Sequence, residues 1–398
     1  MISAAAATQS QPTWRRVTLG DITKQVAIRV GQQSLPVCSC SKLYGVLPQS
    51  ARFKVRIASK SIAHYKVLDD GEFVFDPMLL WDGSIGLNRT GKAGAVSPAY
   101  TVFRSTPDVD PLFLEFVLRQ RSMCSAYKSV SVGTNVRRQK VKYRDFAGLS
   151  VLMPNLSEQR TIASALSTIQ RATEATQAVA ASAAIMRVTL AKDLFGRCRL
   201  APTTKLGDVA RIGNGSTPLR SRADYWYRGE IPWLTSRKVH DGVIQHADEF
   251  VTQVARQECH LPFVPKRSVL IAITGQGKTL GNAAITDIEA CVSQHLAYIT
   301  LHSDRLMPEF LWHYLRSRYH ELQEAGRAGG STKAALTCAW LSRYEVPVPP
   351  LDAQLHVVNT LDTLDRKVRA EHDVTAALKS VFQSALSQLL GETEDGAA

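Results

Sequence analysis

Two stretches of the chain carry the clearest hydrophobic periodicity. Residues Ser157–Phe195 and Asp352–Leu390 contain neither Gly nor Pro. In the first, a 4,3 step picks out Ile162, Leu166, Ile169, Thr173, Thr176, Ala180, Ala183, Arg187, Leu190 and Leu194. In the second it picks out Val357, Leu361, Leu364, Val368, Glu371, Thr375, Leu378, Phe382, Ala385 and Leu389, each 195 residues after its mate. This is a heptad seam, apolar at both ends and small or polar in the middle. At 1.5 Å per residue each stretch predicts a helix of about 58 Å, long for a globular helix. Two such helices with matched ends predict an antiparallel coiled coil rather than two amphipathic helices in separate cores. Ser157 and Asp352 are candidate N-caps, Gly196 and Gly391 stand where a left-handed C-terminal cap is wanted, and Pro154 and Pro349 close the preceding segments. Arg187 and Glu371 interrupt the seam and are expected to act separately in fixing register.

Between these helices the period changes. Glu72–Phe75, Tyr100–Phe103, Ser268–Ile273 and Ala297–Thr300 read as strands, and Pro111–Arg121 and Pro308–Arg318 as amphipathic helices that begin with Pro. The same words recur about 195 residues apart. Leu19-Gly20-Asp21-Ile22 returns as Leu206-Gly207-Asp208-Val209, Val96-Ser97 as Val292-Ser293, Pro111 and Arg119 as Pro308 and Arg316, and Gly133-Thr134 as Gly330-Ser331. The fold class expected is therefore α+β: two duplicated α+β domains separated by two long helices. The expected bounds are a disordered tail over 1–13, a first domain over 14–154, a central helix over 155–200, a second domain over 201–350, a C-terminal helix over 351–391 and a tail over 392–398.

Charge narrows the class of partner. The net formal charge is +13, and residues 1–154 carry +11 of it while residues 351–398 carry −4. So basic a balance points to a polyanion, and the acidic last segment to packing or partner binding. Seven scattered cysteines suit reduced thiols in a cytoplasm, and Cys38-Ser39-Cys40 with His64 lacks the second ligand pair of a zinc site, so no metal is expected. Met1–Thr13 has no basic n-region and no apolar core, and no run of about 18 apolar residues occurs; neither a signal peptide nor a membrane span is expected.

Catalytic motifs are incomplete. Gly275-Gln276-Gly277-Lys278-Thr279 has Ala272 where a phosphate loop of the Walker type needs Gly, and Gly275, Gly277 and Gly281 miss the dinucleotide spacing by one residue. Ser97-Pro98-Ala99-Tyr100 and Val348-Pro349-Pro350-Leu351 depart from the Asp/Asn-Pro-Pro-aromatic loop of amino-methyltransferases, Pro107-Asp108 has no acidic-x-Lys partner, and His295 and His313 read as surface or satisfied core residues. No catalytic residue is assigned. Gly/Ser/Thr loops with Arg and Lys can instead hold phosphates and read base edges. The candidates for such contacts are Ser84, Asn88, Arg89, Lys92, Asn135, Arg137, Arg138 and Lys140 in the first half. In the second they are Ser216, Thr217, Arg220, Arg222, Tyr225, Ser236, Arg237, Lys238, Gln276, Lys278, Thr279, Ser331, Thr332 and Lys333. Trp226 and Trp233 read as core rather than base-stacking residues.

A family resemblance rests on an ordered set of such words. Leu206-Gly207-Asp208-Val209, Asn214-Gly215-Ser216-Thr217-Pro218, Tyr225-Trp226, Gly229-Glu230-Ile231-Pro232-Trp233-Leu234, Lys266–Gly275, Ser293-Gln294 and Pro349-Pro350-Leu351-Asp352-Ala353-Gln354 resemble a target-recognition domain and spacer helix of Type I restriction–modification specificity subunits. Tyr65–Leu68, Gly71–Val74, Gly83–Gly86 and Pro154-Asn155-Leu156-Ser157-Glu158-Gln159-Arg160 look like the same domain in the first half, which lacks the Thr-Pro…Tyr-Trp…Ile-Pro-Trp words and has Cys38–Lys42 in that neighbourhood. The resemblance implies a non-catalytic, sequence-specific DNA-binding subunit. Each domain would read one half of a split double-stranded target, and the helices would set the gap and dock methyltransferase subunits, with restriction/translocase subunits joining. S-adenosylmethionine, ATP and Mg are then expected on partner subunits, with no cofactor on this chain. A rod of 58 Å would span about 17 base pairs. The alternatives are a self-sufficient DNA methyltransferase or nuclease, which the incomplete motifs oppose, and a coiled-coil RNA-binding scaffold.

Overall fold

The structure is a computed structural model that describes residues 14–52, 59, 61–132, 139–275, 277–328 and 335–390. It divides into two compact units. Unit 1 is residues 1–175 with 375–398, and unit 2 is residues 176–374. Two helices are far longer than the rest, Leu156–Arg197 and Leu351–Leu390. Unit 1 takes the N-terminal stretch of the first and the C-terminal stretch of the second; unit 2 takes the reverse, as an antiparallel pair requires.

Unit 1 is built on a four-stranded antiparallel sheet in the order Thr23–Val26, Thr101–Ser105, Phe73–Phe75, Ile85–Leu87. Phe73 stacks on Phe103 at 5.0 Å, and Phe75, Phe146 and Tyr127 continue the aromatic core. The strand Arg15–Thr18 pairs with Ser150–Met153 and closes the globule just before the first long helix. Pro111 opens the helix Pro111–Leu118, whose N-cap Asp110 accepts from the amides of Leu112 and Phe113. A second helix, Arg121–Ser129, follows after a break at Gln120.

Unit 2 repeats the plan. Its five-stranded sheet runs Ala210–Asn214, Leu296–Leu301, Val269–Ala272, Ala283–Thr286, Val243–Ile244, and a three-stranded sheet holds Glu249–Val251, Ile231–Leu234 and Cys291–Val292. Thr203–Lys205 pairs with Glu345–Pro347 as the closing ribbon, and the helices Pro308–Ser317 and Tyr319–Ala328 lie in sequence as their counterparts do. The repeated glycine has a packing reason in both units. A Cβ at Gly20 would come 3.2 Å from the Ala147 carbonyl oxygen, and one at Gly207 would come 3.0 Å from that of Ser342, 195 residues on from Ala147.

The seam behaves as the periodicity predicts. All its positions, from Ile162 to Leu194 and from Val357 to Leu389, are buried or partly covered, whereas Ser164, Ala165, Thr168 and Lys192 between them are exposed. In unit 1 Ile162 and Leu166 share a core with Phe382, Ala385, Leu386 and Leu389. In unit 2 Ala191, Leu194 and Phe195 share one with Val357, Val358 and Leu361.

The helix ends differ from the sequence expectation. The first long helix begins at Leu156, so Ser157 lies inside it, and Asn155 is the cap: its Oδ1 accepts the Glu158 amide at 3.0 Å. Likewise Asp352 sits in the first turn rather than before it. Gly196 does not end the helix. Phe195 and Cys198 are both buried in unit 2, and continuing the helix through Gly196 to Arg197 delivers both to that core. Gly391 lies outside the described residues.

Candidate nucleic-acid interface

Each globule is fastened to a long helix by one buried glutamine. Gln159, 1% exposed, accepts the Asp110 amide at 2.8 Å and donates to the Pro154 carbonyl at 2.9 Å. Gln354, fully buried, accepts the Met307 amide at 2.8 Å and donates to the carbonyls of Pro349 and Arg305, both at 2.8 Å. A primary amide accepts through its oxygen and donates through its nitrogen at once, and buried polar groups need both roles filled. The same latch thus fixes the start of the helix Pro111–Leu118 or Pro308–Ser317 against the first turn of a long helix.

The candidate interface residues separate into several groups. Arg89, Lys92, Lys140, Thr217, Arg220, Arg222, Arg237 and Lys278 are exposed, and Ser216, Ser236 and Thr279 are partly covered. Asn135, Arg137, Arg138, Gln276, Ser331, Thr332 and Lys333 lie outside the described residues. Ser84, Asn88, Tyr225 and Lys238 are buried, and here the sequence reading needs correction. Asn88 donates to the carbonyls of Leu68, Asp69 and Lys92 and accepts from Thr90, so its amide is spent on shaping its own loop. Ser84 donates to the Cys40 carbonyl. Lys238 is bound by Asp241 and Asp248, and Tyr225 donates to Glu258 at 2.6 Å.

Several exposed cations are also engaged. Arg220 lies 3.8 Å over the Trp226 ring and pairs with Glu249; Trp226 in turn meets Trp233 edge-on at 5.2 Å. Arg222 pairs with Asp224 and Glu258 and lies over Tyr225, and Asp224 holds its pKa above the usual arginine range. Arg89 is 3.5 Å from the buried Glu115. Arg237, Lys92, Lys140 and Lys278 keep their charges toward solvent, the state in which a cation can displace counterions from a phosphate. Trp233, 2% exposed, is core, as its reading predicts.

Sequence reasoning missed one cluster. Arg187, a seam position, donates to Asp365 at 2.7 Å, and Arg316 donates to the same carboxylate at 2.6 Å. The buried His313 bonds Asp362 at 2.9 Å and faces Arg187 at 3.3 Å. Burial pushes the His313 pKa down, so the ring is held neutral. Burial alone would raise Asp365, but the Arg316 and Arg187 guanidiniums overcome it and hold the carboxyl below its ordinary value. His313, Asp362 and Asp365 have the donor set of a metal site, with ligand atoms within 4.8 Å of one another, yet two guanidiniums already supply the balancing charge. Arg187 was visible as a polar seam residue; its partner, 178 residues away, was not. The Cys38-Ser39-Cys40 strand is buried, and burial pushes the Cys40 thiol up to about 12, the reverse of what a metal thiolate needs. Among the described residues no helix is long and apolar enough to cross a membrane.

Comparison with known proteins agrees with this architecture. Residues 202–380 match the family described as Type I restriction modification DNA specificity domain. The specificity subunit of the Escherichia coli type I restriction enzyme EcoR124I/EcoR124II is 23% identical over 162 residues, and the alignment spans 40% of this chain and 40% of that subunit. The Type I restriction–modification S subunit of M. genitalium superposes with a TM-score of 0.63 at 14% identity, covering 96% of this chain and 97% of that one. A chain from a structure of type I R-M complex assembly and conformational transition gives a TM-score of 0.54 at 18% identity, covering 96% and 98%. Residues 202–380 thus resemble a Type I restriction modification DNA specificity domain, and the chain as a whole, with its two α+β domains and two long helices, has the fold of the M. genitalium S subunit.

Proposed function

We propose that this chain is the DNA-reading subunit of a Type I restriction–modification complex and performs no catalysis of its own. Each α+β globule reads one half of a bipartite double-stranded target. The paired long helices set the number of base pairs between the half-sites and dock methyltransferase subunits, to which restriction/translocase subunits are added. S-adenosylmethionine, ATP and Mg belong to those partners.

The observation that carries this reading is the duplication itself. Two globules of one plan, each latched by a buried glutamine, Gln159 or Gln354, share two helices with a common seam. A protein that reads two separated half-sites needs two similar readers and a fixed connection. The exposed basic residues, Lys92 and Lys140 in unit 1 and Arg237 and Lys278 in unit 2, support phosphate contact, while Arg220, stacked on Trp226 and bonded to Glu249 through one nitrogen, holds a planar guanidinium of the kind that makes paired contacts with guanine.

The test is the methylation map of a genome expressing this chain with a cognate methyltransferase subunit. One bipartite sequence, with a constant gap, is the expected result. Methylation by the purified chain without a partner, or methylation in the complex without a two-part consensus, would overturn the reading.

A further inference from the structure

Unit 2 holds an open cleft of about 680 Å3 whose wall includes Arg187, Arg316, Lys278, Arg327, His240 and His320. Among the described residues no carboxylate lines it. Arg187 and Arg316 share Asp365 behind the wall, so one carboxylate serves two guanidiniums. Among the described residues, Lys278 and Arg327 have no carboxylate partner, and the bond given to the Arg327 guanidinium is a 3.5 Å contact to the Gln323 side-chain oxygen. The cleft therefore carries excess positive charge in a concave setting, where fields are focused.

Lys278 is held in place. Its carbonyl accepts from the Tyr319 hydroxyl at 2.9 Å, and the Gly277 carbonyl accepts from Gln323 Nε2 at 2.7 Å. Gly281, at φ +78, lets the loop end close on the helix Tyr319–Ala328: a Cβ there would come 3.1 Å from Leu322 Cβ and 3.2 Å from the Gln323 nitrogen. Across the cleft, His240 bonds Thr279 at 3.2 Å and Asn282 at 3.3 Å. A lysine on a loop pinned at this many points has prepaid much of the ordering cost of binding.

The repeat shows that folding does not require this set. The offset that relates Pro308 and Arg316 to Pro111 and Arg119 places Ser122, Met123, Ala126 and Val130 where unit 2 has Tyr319, His320, Gln323 and Arg327. Unit 1 forms the corresponding helix, Arg121–Ser129, with Met123 buried in its core. The loop anchors Tyr319 and Gln323 and the cation Arg327 are thus additions peculiar to the second repeat, whereas Arg316 has its counterpart in Arg119.

We propose that this cleft is a phosphate-binding site, seating a phosphate group either of a nucleic-acid backbone or of a free phosphate ester. A lysine supplies a mobile point charge and an arginine a planar fork, and together they match a tetrahedral oxyanion. The backbone alternative rests on the DNA-reading role proposed above; the free-ester alternative does not.

Two assays on the Lys278→Gln/Arg327→Gln double variant test the site. Pyrophosphate titrated calorimetrically into the full-length chain at low ionic strength should bind the parent at least tenfold more tightly than the variant. In the complex with the methyltransferase subunit, the slope of log K against log salt for target DNA should flatten by about 1, one phosphate contact, with the ratio of specific to non-specific binding unchanged. Lys278→Arg/Arg327→Lys should retain both signals, as should the charge-matched control Lys24→Gln/Lys205→Gln. Loss of both signals assigns the site to the DNA backbone, and loss of pyrophosphate binding alone assigns it to a free ester. If neither changes, the cleft is not a phosphate site. A complex that binds no DNA would sink the DNA-reading role, and the pyrophosphate titration would still decide the cleft.

Discussion

The two ends of the long helices do the same job with opposite chemistry. In unit 1 Phe116 of the globule meets Phe382 of the second long helix, ring centroids 6.0 Å apart. The positions related to these by the repeat are His313 and Arg187 in unit 2, and the residues matching Asp362 and Asp365 are Ser167 and Gln170. An aromatic contact at one junction is thus a buried network of two arginines, a histidine and two aspartates at the other. The comparison shows that the backbone plan asks only for contact at this place, not for a particular chemistry. An apolar contact accepts many partners, whereas a buried ion network accepts only its complement. The asymmetry therefore gives each stretch of helix a reason to prefer its own globule, the register role best attested for buried polar groups.

The largest expected effect follows from removing the shared carboxylate. Asp365→Ala leaves Arg187 and Arg316, with side chains only 12% and 26% exposed, facing each other without the carboxylate that both bond. Breaking such a network costs about 3–5 kcal/mol. Phe382→Ala, at a partly covered site, should cost about 2 kcal/mol. Amide hydrogen exchange reads each effect locally, in Pro308–Ser317 for the first and Pro111–Leu118 for the second. A loss below 1 kcal/mol on Asp365→Ala would mean that the network adds nothing to the junction.

Acid should distinguish the units more gently. His313 is held neutral in the folded state by burial, with Asp362, Asp365, Arg187 and Arg316 around it, so the unfolded chain takes up its proton first. Stability is unaffected by this group above its unfolded pKa of 6.5 and falls as the pH drops below it, where the unfolded state binds more protons. Asp365, held below 3.8, stays charged through that window. Exchange protection in unit 2 should decline between about pH 6.5 and 5 relative to unit 1, which has Phe116 at the matching place. His313→Phe should remove the difference, and an equal decline in both units would refute the assignment.

The long helices and their seam were legible because a 4,3 spacing records which side of a helix is covered, and every seam position from Ile162 to Leu389 is at least partly covered. Their ends were less so. Gly196 looked like a stop, but the need to bury Phe195 and Cys198 together carries the helix past it. Interface residues were least legible. Residue type tells what Asn88 and Lys238 can bond, not which way they point, and both are consumed by neighbours. Arg187 stood out in the seam, yet its partners come from segments 126 and 178 residues away, a separation no local pattern records.

The central claim is that the paired helices set the gap between two half-sites. Deleting Thr173–Val179 together with Val368–Val374 removes one heptad from each helix and keeps the phase of the seam on both sides of the cut. The methylation map of cells expressing this variant with its methyltransferase partner should show both half-sites unchanged and the gap between them shortened. Methylation of the parental sequence with its original gap would contradict the account.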